Sequence, residues 1–383
     1  MTRAEILFLD IWRRQQVQEM KLAGVRRYAE AKGWNVRVLS EGRSRADRIP
    51  GLLARYRPVG CIVECSAGHE DLTPEIFGGL PSVYLDCPLS FHKGRCAVVC
   101  NDGEETTQAA FRELASNRPS AYAVVGFMER RAWSDLRIRT FRRLAAEADR
   151  PCHAFIGSGE PKNVRAKRLA DWVAGLPPKC AVFAVNDTMA VEVIAACERA
   201  GRKIPTDMTL VGVDNLEDLC ESSSPRISSV QVDFERAGYR AAALLDRMIA
   251  GRVRRPAHET FGPLMVVRRE STRGFGRREP RILAAVDLIR REACNGLRAR
   301  DVVQALRGSR RLTELRFRET VGHSILDEID SVRMDRVCQL LLDRDVPLRT
   351  VVDRSGYPSE AALRKAFLKR TGLPLLEWRR RNV

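Results

Sequence analysis

The 383-residue chain lacks several things that would have fixed its class at once. No uninterrupted apolar run approaches the roughly 20 residues that a membrane span needs. The opening apolar stretch, residues 5–10, is short and flanked by acids, unlike a secretory leader, so a cytoplasmic protein with no membrane partner is expected. Eleven cysteines carry no framework spacing, which favours reduced thiols. Five scattered histidines do not assemble an acid–base set, and there is neither a Walker glycine loop nor a nucleophile elbow, so an enzyme is not expected. Gly157 and Gly159 follow an apolar stretch, but Lys162 stands where the dinucleotide fingerprint needs its third glycine. Cys61, Cys65 and His69 recur every fourth residue, as do His92, Cys96 and Cys100. Residues four apart on a strand lie roughly 13 Å from one another, too far to share one ion, so neither metal nor cofactor is expected.

What is present is charge. The net charge is +17, and it is unevenly spread. From Ser271 onward there are 25 Lys and Arg against 15 Asp and Glu, whereas the 270 residues before hold 41 against 34. The tail is thus several times more basic per residue, which suits a polyanion partner or a solvated face.

The first 270 residues alternate short apolar runs with amphipathic ones. Strands are expected at 6–10, 36–39, 61–65, 82–86, 97–100, 121–126, 152–156, 181–185 and 210–213, and a strand-like run closes the series at 264–267. Helices are expected at 15–32, 103–116, 135–147, 163–175 and 188–201. This βαβα alternation argues for an α/β core of two lobes, each a parallel sheet of four to six strands with helices on both faces. Ligands of such sheets sit beyond the carboxyl ends of the strands. Polar residues there are Asn101 and Asp102, Asn186 and Asp187, and Asp214 and Asn215, while Trp133 and Arg137 open a helix. Carboxylates, amides and a guanidinium offer the paired hydrogen bonds a polyhydroxy ligand takes, and an indole such as Trp133 or Trp12 can cover a sugar ring. Asx residues after strands also cap helices, as expected of Asp187 for the helix at Thr188.

Three segments carry a resemblance: 180–190 (CAVFAVNDTMA), 204–215 (IPTDMTLVGVDN) and 228–233 (SSVQVD). Together they resemble the effector-binding core of the lactose and galactose repressor family, a periplasmic-binding-protein-like fold, over about residues 4–270. The resemblance implies that Asn186 and Asp214 bind sugar hydroxyls from the second lobe, that Arg137 contributes its guanidinium, and that Asp102 approaches from near the lobe crossover. Trp12, Gln16 and Glu64 are the candidates of the first lobe. That family carries its helix-turn-helix ahead of the core, yet here the first strand begins near residue 5, so the DNA reader is expected elsewhere.

A segment with two glycines, a proline and a run of charge, 271–280, has the composition of a linker between a core at 1–270 and a domain at 281–383. Beyond it, 297–322 and 346–372 follow one plan: a short amphipathic helix, a glycine break and a cationic second helix. Leu315, Phe317, Gly322, the run 325–342, Gly356, Tyr357, Phe367, Gly372, Pro374 and Trp378 make this tail similar to the AraC family of DNA-binding domains, an all-α fold with two helix-turn-helix units. Side chains near the amino end of each second helix can reach base edges in the major groove. These are Ser309, Arg310, Arg311, Thr313 and Glu314 in the first unit, and Ser359, Glu360, Arg364 and Lys365 in the second. For each arginine, a phosphate contact or a solvated charge is the alternative. Leu315, Phe317, Leu363 and Phe367 are expected to pack inward. Ala362 and Leu363 stand where the family carries an aromatic pair.

The resulting expectation is a sugar-responsive transcription regulator, an activator of pentose (xylose-like) catabolic genes. Its partners would be double-stranded DNA, a small sugar effector, a second copy in a homodimer, and RNA polymerase. The alternatives are the same fold with a hexose, purine or sugar phosphate, or a non-exported sugar-binding protein whose basic tail has another partner.

Overall fold

The computed structural model describes residues 4–10, 16–39, 46–66, 72–87, 94–128, 131–274, 280–321, 323–343 and 346–382. In chain order the first elements are β1 (Glu5–Leu9), α1 (Gln16–Lys32), β2 (Asn35–Leu39), α2 (Ile49–Tyr56), β3 (Gly60–Glu64), β4 (Ser82–Leu85), β5 (Cys96–Asn101) and α3 (Gly103–Ala115). There follow β6 (Ala121–Val125), α4 (Ala132–Glu147), β7 (Cys152–Phe155), α5 (Lys162–Ala174), β8 (Cys180–Ala184), α6 (Asp187–Arg199), β9 (Met208–Val213), α7 (Glu217–Ser222), β10 (Ser228–Val232), α8 (Phe234–Ile249), β11 (Ala257–Phe261) and β12 (Pro263–Val267). The tail is helical: α9 (Pro280–Glu292), α10 (Ala299–Ala305), α11 (Arg310–Val321), α12 (Ile325–Leu341), α13 (Leu348–Ser355), α14 (Glu360–Thr371) and α15 (Leu375–Asn382). Among the described residues no helix is long and apolar enough to cross a membrane.

The chain divides into two compact units. The first comprises Met1–Gln108, Phe127–Thr140 and Val232–Pro263. Its sheet has the order β11-β5-β4-β3-β1-β2, with these neighbours running parallel. The central strands are buried along their whole length because both faces are covered, as parallel sheets require, and only Glu64 and Ser82 at their ends are polar. One face is filled by Leu7, Leu9, Val63, Tyr84 and Phe77, with Cys61, Cys65, Cys87 and Cys96 serving as small apolar residues. On α1 and α8 the backbones touch. A Cβ on Gly238 would stand 1.8 Å from the Lys21 carbonyl, and one on Gly24 equally close to that of Glu235, so only glycine permits this approach.

The second unit comprises Ala109–Gly126, Phe141–Gln231 and Leu264–Val383. Its sheet, of order β12-β10-β9-β8-β6-β7, also has six strands. The strands β10 and β11 were not among the expected set. β10 contains serines, Ser228 and Ser229, that are fully buried and hydrogen-bonded, and β11 (AHETF) is a polar edge strand, so neither shows as an apolar run.

The tail belongs to the second unit and is built on α12. The first turns of that helix complete a core of Ile282, Val286, Ile289, Val302, Phe317, Val321, Ile325 and Ile329. Its last turns complete another with Met334, Val337, Leu341, Val351, Leu363, Phe367 and Trp378. A 17-residue helix, about 25 Å long at about 1.5 Å per residue, thus carries both helix-turn-helix units. Ser324 begins it with a capping box closed by Asp327.

Of the segment expected to be a linker, 271–274 are instead buried, and 275–279 lie outside the described residues. Composition misleads here because the polar residues are consumed internally: Ser271 Oγ donates to the Leu210 carbonyl at 2.6 Å, and Thr272 Oγ1 donates to Glu113 at 3.0 Å. Just before it, Arg268 Nε donates to Glu113 Oε2 on α3 at 2.6 Å while its Nη1 donates to Ser331 Oγ on α12. Burial alone would lower the Arg268 guanidinium, yet Glu113, together with Asp335 and Glu328, outweighs it and holds the group above its ordinary value. An Arg268→Met variant would leave Glu113 buried without its cation. A loss of about 3–5 kcal/mol of stability is expected, read as a fall in the urea midpoint of the full chain.

Candidate effector site and nucleic-acid interface

At the carboxyl ends of the first unit's strands, polar groups form a closed circuit. Glu64, ending β3, is 1% exposed, and its Oε1 accepts from Lys21 Nζ at 2.7 Å and from the Ser66 amide at 3.2 Å. The same ammonium donates to Asp86 Oδ2 at 2.6 Å, and Asp86 Oδ1 accepts the Asn101 amide at 2.7 Å. Asn101 Oδ1 accepts Arg137 Nη2 at 3.1 Å. The Arg137 guanidinium lies 5.2 Å from the Trp133 ring centroid, and the indole Nε1 donates to the Ser66 carbonyl at 3.1 Å. Three elements therefore fix one another: the helix opening with Trp133 and Arg137, the ends of β3 to β5, and α1 through Lys21.

Lys21 is fully buried between two carboxylates and 5.6 Å from the Phe234 ring centroid. Burial would lower its ammonium, but Asp86 and Glu64 outweigh this and raise it, so it stays charged. With Glu64 Oε1 so engaged, its Oε2 is a buried acceptor with no hydrogen-bond partner among the described residues. That is the kind of group a ligand hydroxyl satisfies.

Of the other first-unit candidates, Asp102 caps α3, accepting the Glu105 amide at 2.9 Å, and stays partly exposed. Gln16 is the exposed first residue of α1, and Trp12 lies outside the described residues. A concavity of about 510 Å³ lined by Val59, Pro81 and Arg95 is at the amino ends of β3 to β5, the opposite end from this chemistry.

In the second unit Asn186, not Asp187, caps α6: its Oδ1 accepts the Met189 amide at 3.0 Å. The expected cap, Asp187, is one residue inside the helix and completely buried. Its Oδ1 accepts from Ser229 Oγ at 2.6 Å and its Oδ2 from the Leu216 amide at 2.7 Å, which ties β10 and the loop after β9 to α6. A Cβ on Gly212 would fall 2.2 Å from that carboxylate, so glycine is required there. The loop so held contains Asp214 at φ 103° and Asn215 at φ 51°. For a non-glycine residue such backbone costs on the order of 1–3 kcal/mol and is found mainly where function fixes it. Asn215 Oδ1 accepts from Arg269 Nη1 at 2.9 Å.

Sequence reasoning missed Lys21, Asp86, Asn101 and Asp187 as organisers. A lysine on the inward stripe of α1, between Gln18, Leu22 and Val25, was the available signal for the first.

In the tail, α11 and α14 are the second helices of the two units. Ser309 and Ser359 begin them as caps, accepting the Leu312 amide at 3.3 Å and the Ala362 amide at 3.2 Å. Arg310, Arg311 and Lys365 are exposed, and Glu314 is half-buried. Glu360 and Arg364 are exposed and pair with each other at 2.8 Å. Phe317, Leu363 and Phe367 pack inward as expected. Two expectations are corrected. Thr313 is 5% exposed, in line with Phe317 and Val321, and so is absent from the outer face; Leu315, about 200° around the helix from it, is 53% exposed.

A model of the periplasmic binding protein-like domain matches residues 111–272, and a helix-turn-helix domain model matches residues 302–381. Together with the sheets and helices above, these define a class: a two-part regulator in which a periplasmic-binding-protein-like core is joined to an AraC-type DNA-binding domain. Within that class the chain is similar to the xylose operon regulators. It is 28% identical to the xylose operon regulatory protein of Escherichia coli (strain K12) over 358 residues, covering 90% of this chain and 89% of that protein. With the protein of the same name from Haemophilus influenzae it shares 26% over 286 residues, covering 73% and 74%. The solved structure of the xylose-binding transcription activator XylR has the same fold, with a TM-score of 0.62 at 24% identity over 100% of this chain and 99% of that one. The lac repressor dimer bound to operator matches with a TM-score of 0.60 at 16% identity, covering 72% and 95%.

Two predictions follow from these geometries. Lys21→Met should cost about 3–5 kcal/mol, because it strands two carboxylates, and the urea midpoint would show it. Burial pushes the Asp187 carboxyl up to about 6 from its ordinary 3.8. The folded state therefore holds that proton more tightly than the unfolded one. The associated stability is present below pH 4 and lost as pH rises through about 6, by roughly 3 kcal/mol. Urea midpoints taken from pH 4 to 8 should show that Asp187→Asn removes this fall.

Proposed function

We propose that the chain is a sugar-responsive transcriptional activator of pentose catabolic genes, with a xylose-like pentose as effector, acting in the cytoplasm as a homodimer on promoter DNA and engaging RNA polymerase there. The domains of that reading are an effector core at 1–270, a short junction at 271–280 and the DNA-binding domain at 281–383. The observation that carries it is the joining, in one chain, of strand-end polar chemistry suited to hydroxyl groups and a basic double helix-turn-helix. Its homologues named for the xylose operon supply the choice of sugar.

In this reading Arg137, Asp102, Trp133 and Glu64 are the first unit's sugar contacts, with Trp12 and Gln16 in support, and Asn186 and Asp214 are those of the second. Three of them have a physical basis in the geometry. The Arg137 guanidinium is oriented by Asn101 and Trp133 before any ligand arrives, Glu64 has an oxygen to spare, and Asp214 is held on unusual backbone. Preorganised groups lose little entropy on binding. The sugar acts on DNA affinity only through a difference in its binding to two states of the protein, typically about 1–3 kcal/mol, or a 5- to 150-fold change.

Calorimetric titration with xylose, arabinose and ribose, paired with electrophoretic shifts on upstream DNA, tests this. Saturable heat with at least one pentose is expected, together with a sugar-dependent change of DNA affinity. Arg137→Ala and Asp214→Ala should abolish both while leaving sugar-free DNA binding intact. Absence of heat with all three pentoses, and with hexoses, would remove the effector half of the reading.

A further inference from the structure

The outer faces of the two reader helices differ in chemistry. α11 buries Thr313, Phe317 and Val321, a stripe of residues four apart. With about 100° between successive residues, the face opposite that stripe carries Leu312, Leu315 and Glu319, margined by Arg311 and Arg318. Leu312 is 44% and Leu315 53% exposed, two of the six large apolar side chains that are exposed among the described residues. Both lie in the amino-terminal half of the helix, the half that reaches base edges in helix-turn-helix proteins.

The second unit supplies an internal control. At a constant offset of 50 residues, Ser309, Thr313 and Phe317 correspond to Ser359, Leu363 and Phe367, and in both helices the serine caps and the other two pack inward. In that register Leu312 corresponds to Ala362, Leu315 to Lys365 and Glu319 to Lys369. A helix that only gripped phosphates would carry cations at the centre of its outer face, as α14 does with Lys365 and Lys369; the exposed leucine of α14, Leu368, stands at the margin, in the place of Arg318. Exposed leucines flanked by Arg311, Arg316 and Arg318 need a partner that is anionic at its rim and apolar within. The major groove is such a surface: phosphates line its edges, and the thymine 5-methyl is the apolar group on its floor.

We propose that Leu312 and Leu315 are sequence-determining residues that recognise thymine 5-methyl groups, so that the first unit selects bases by apolar contact while the second, through Lys365 and Lys369, holds backbone and acceptor groups. This rests on the DNA-binding function proposed above and assigns which chemistry reads sequence.

The test uses the full chain. Duplexes are first selected from a random library by the wild type, and each thymine of the enriched site is then replaced singly by deoxyuridine, which removes only the methyl. Wild-type affinity should fall about three- to fivefold at one or more positions, the worth of one buried carbon. Leu312→Ala and Leu315→Ala should bind the thymine site correspondingly more weakly and become indifferent to deoxyuridine at their own positions, with an unchanged salt dependence of binding. If deoxyuridine has no effect on the wild type, or the same effect on the wild type and both variants, the proposal is overturned. It is equally overturned if the variants lower the dimer mass in sedimentation yet keep the wild-type deoxyuridine response, which would make this face a protein interface. Failure of the wild type to enrich any duplex would instead remove the DNA-binding reading itself, and this proposal with it.

Discussion

The second unit depends on one ion pair, that of the partly exposed Arg268 with the buried Glu113. Arg268 follows the last strand of the core, Glu113 stands on α3, and the far side of the guanidinium donates to Ser331 on the helix that carries both helix-turn-helix units. A planar guanidinium can hold a carboxylate and a hydroxyl in different directions at once, which a lysine ammonium does with less geometric definition. Thr272 completes the Glu113 carboxylate, and Asn117 donates to the Thr272 carbonyl at 2.9 Å. The junction between core and tail is therefore a set of matched polar partners. An apolar junction would slide more readily, whereas a buried polar one holds a particular alignment because any other leaves groups unpaired.

The same economy governs the strand ends. In the first unit a single ammonium neutralises Glu64 and Asp86, and the remaining valences of those carboxylates and of Asn101 orient Ser66 and Arg137. In the second, one carboxylate, Asp187, ties a helix, a strand and a loop. Both are buried charges or polar groups placed one shell behind the residues nominated as ligand contacts. That location matters, since a contact residue held only by its own rotamer would pay ordering entropy when the sugar binds.

Much of this was legible in the sequence. The βαβα alternation gave the two parallel sheets because buried parallel strands are largely apolar, and the plan of a short amphipathic helix, a glycine break and a cationic second helix, present twice, gave the two reader helices. What stayed hidden shares a cause: polar residues satisfied inside the fold look like surface. Ser228 and Ser229 hid β10, and Ser271 and Thr272 passed for a linker although they bond to Leu210 and Glu113. Lys21 cannot be told from a solvated charge in the sequence, because its two carboxylates are more than 40 residues away in the chain. The adjacent Asn186 and Asp187 could each cap α6, and only the backbone turn decides between them.

The two reader helices show how a repeated scaffold diverges without losing its fold. What α11 and α14 must keep is the capping serine and the inward pair that closes each half of α12, and those positions are held or replaced by apolar equivalents, Thr313 by Leu363. The outward positions carry no packing constraint, so they are free to differ, and at the centre of the face they do so in kind: Leu312 and Leu315 in one helix, Lys365 and Lys369 in the other, with Leu368 at the margin of the second. A lysine over a polyanion adds affinity to any sequence, while a leucine adds none until it meets a methyl group. Dividing the two chemistries between helices on one rigid rod lets the first unit discriminate while the second supplies general grip. The rod makes the division workable, because α12 fixes the spacing of the two helices and so converts two weak, different contacts into one register on the duplex.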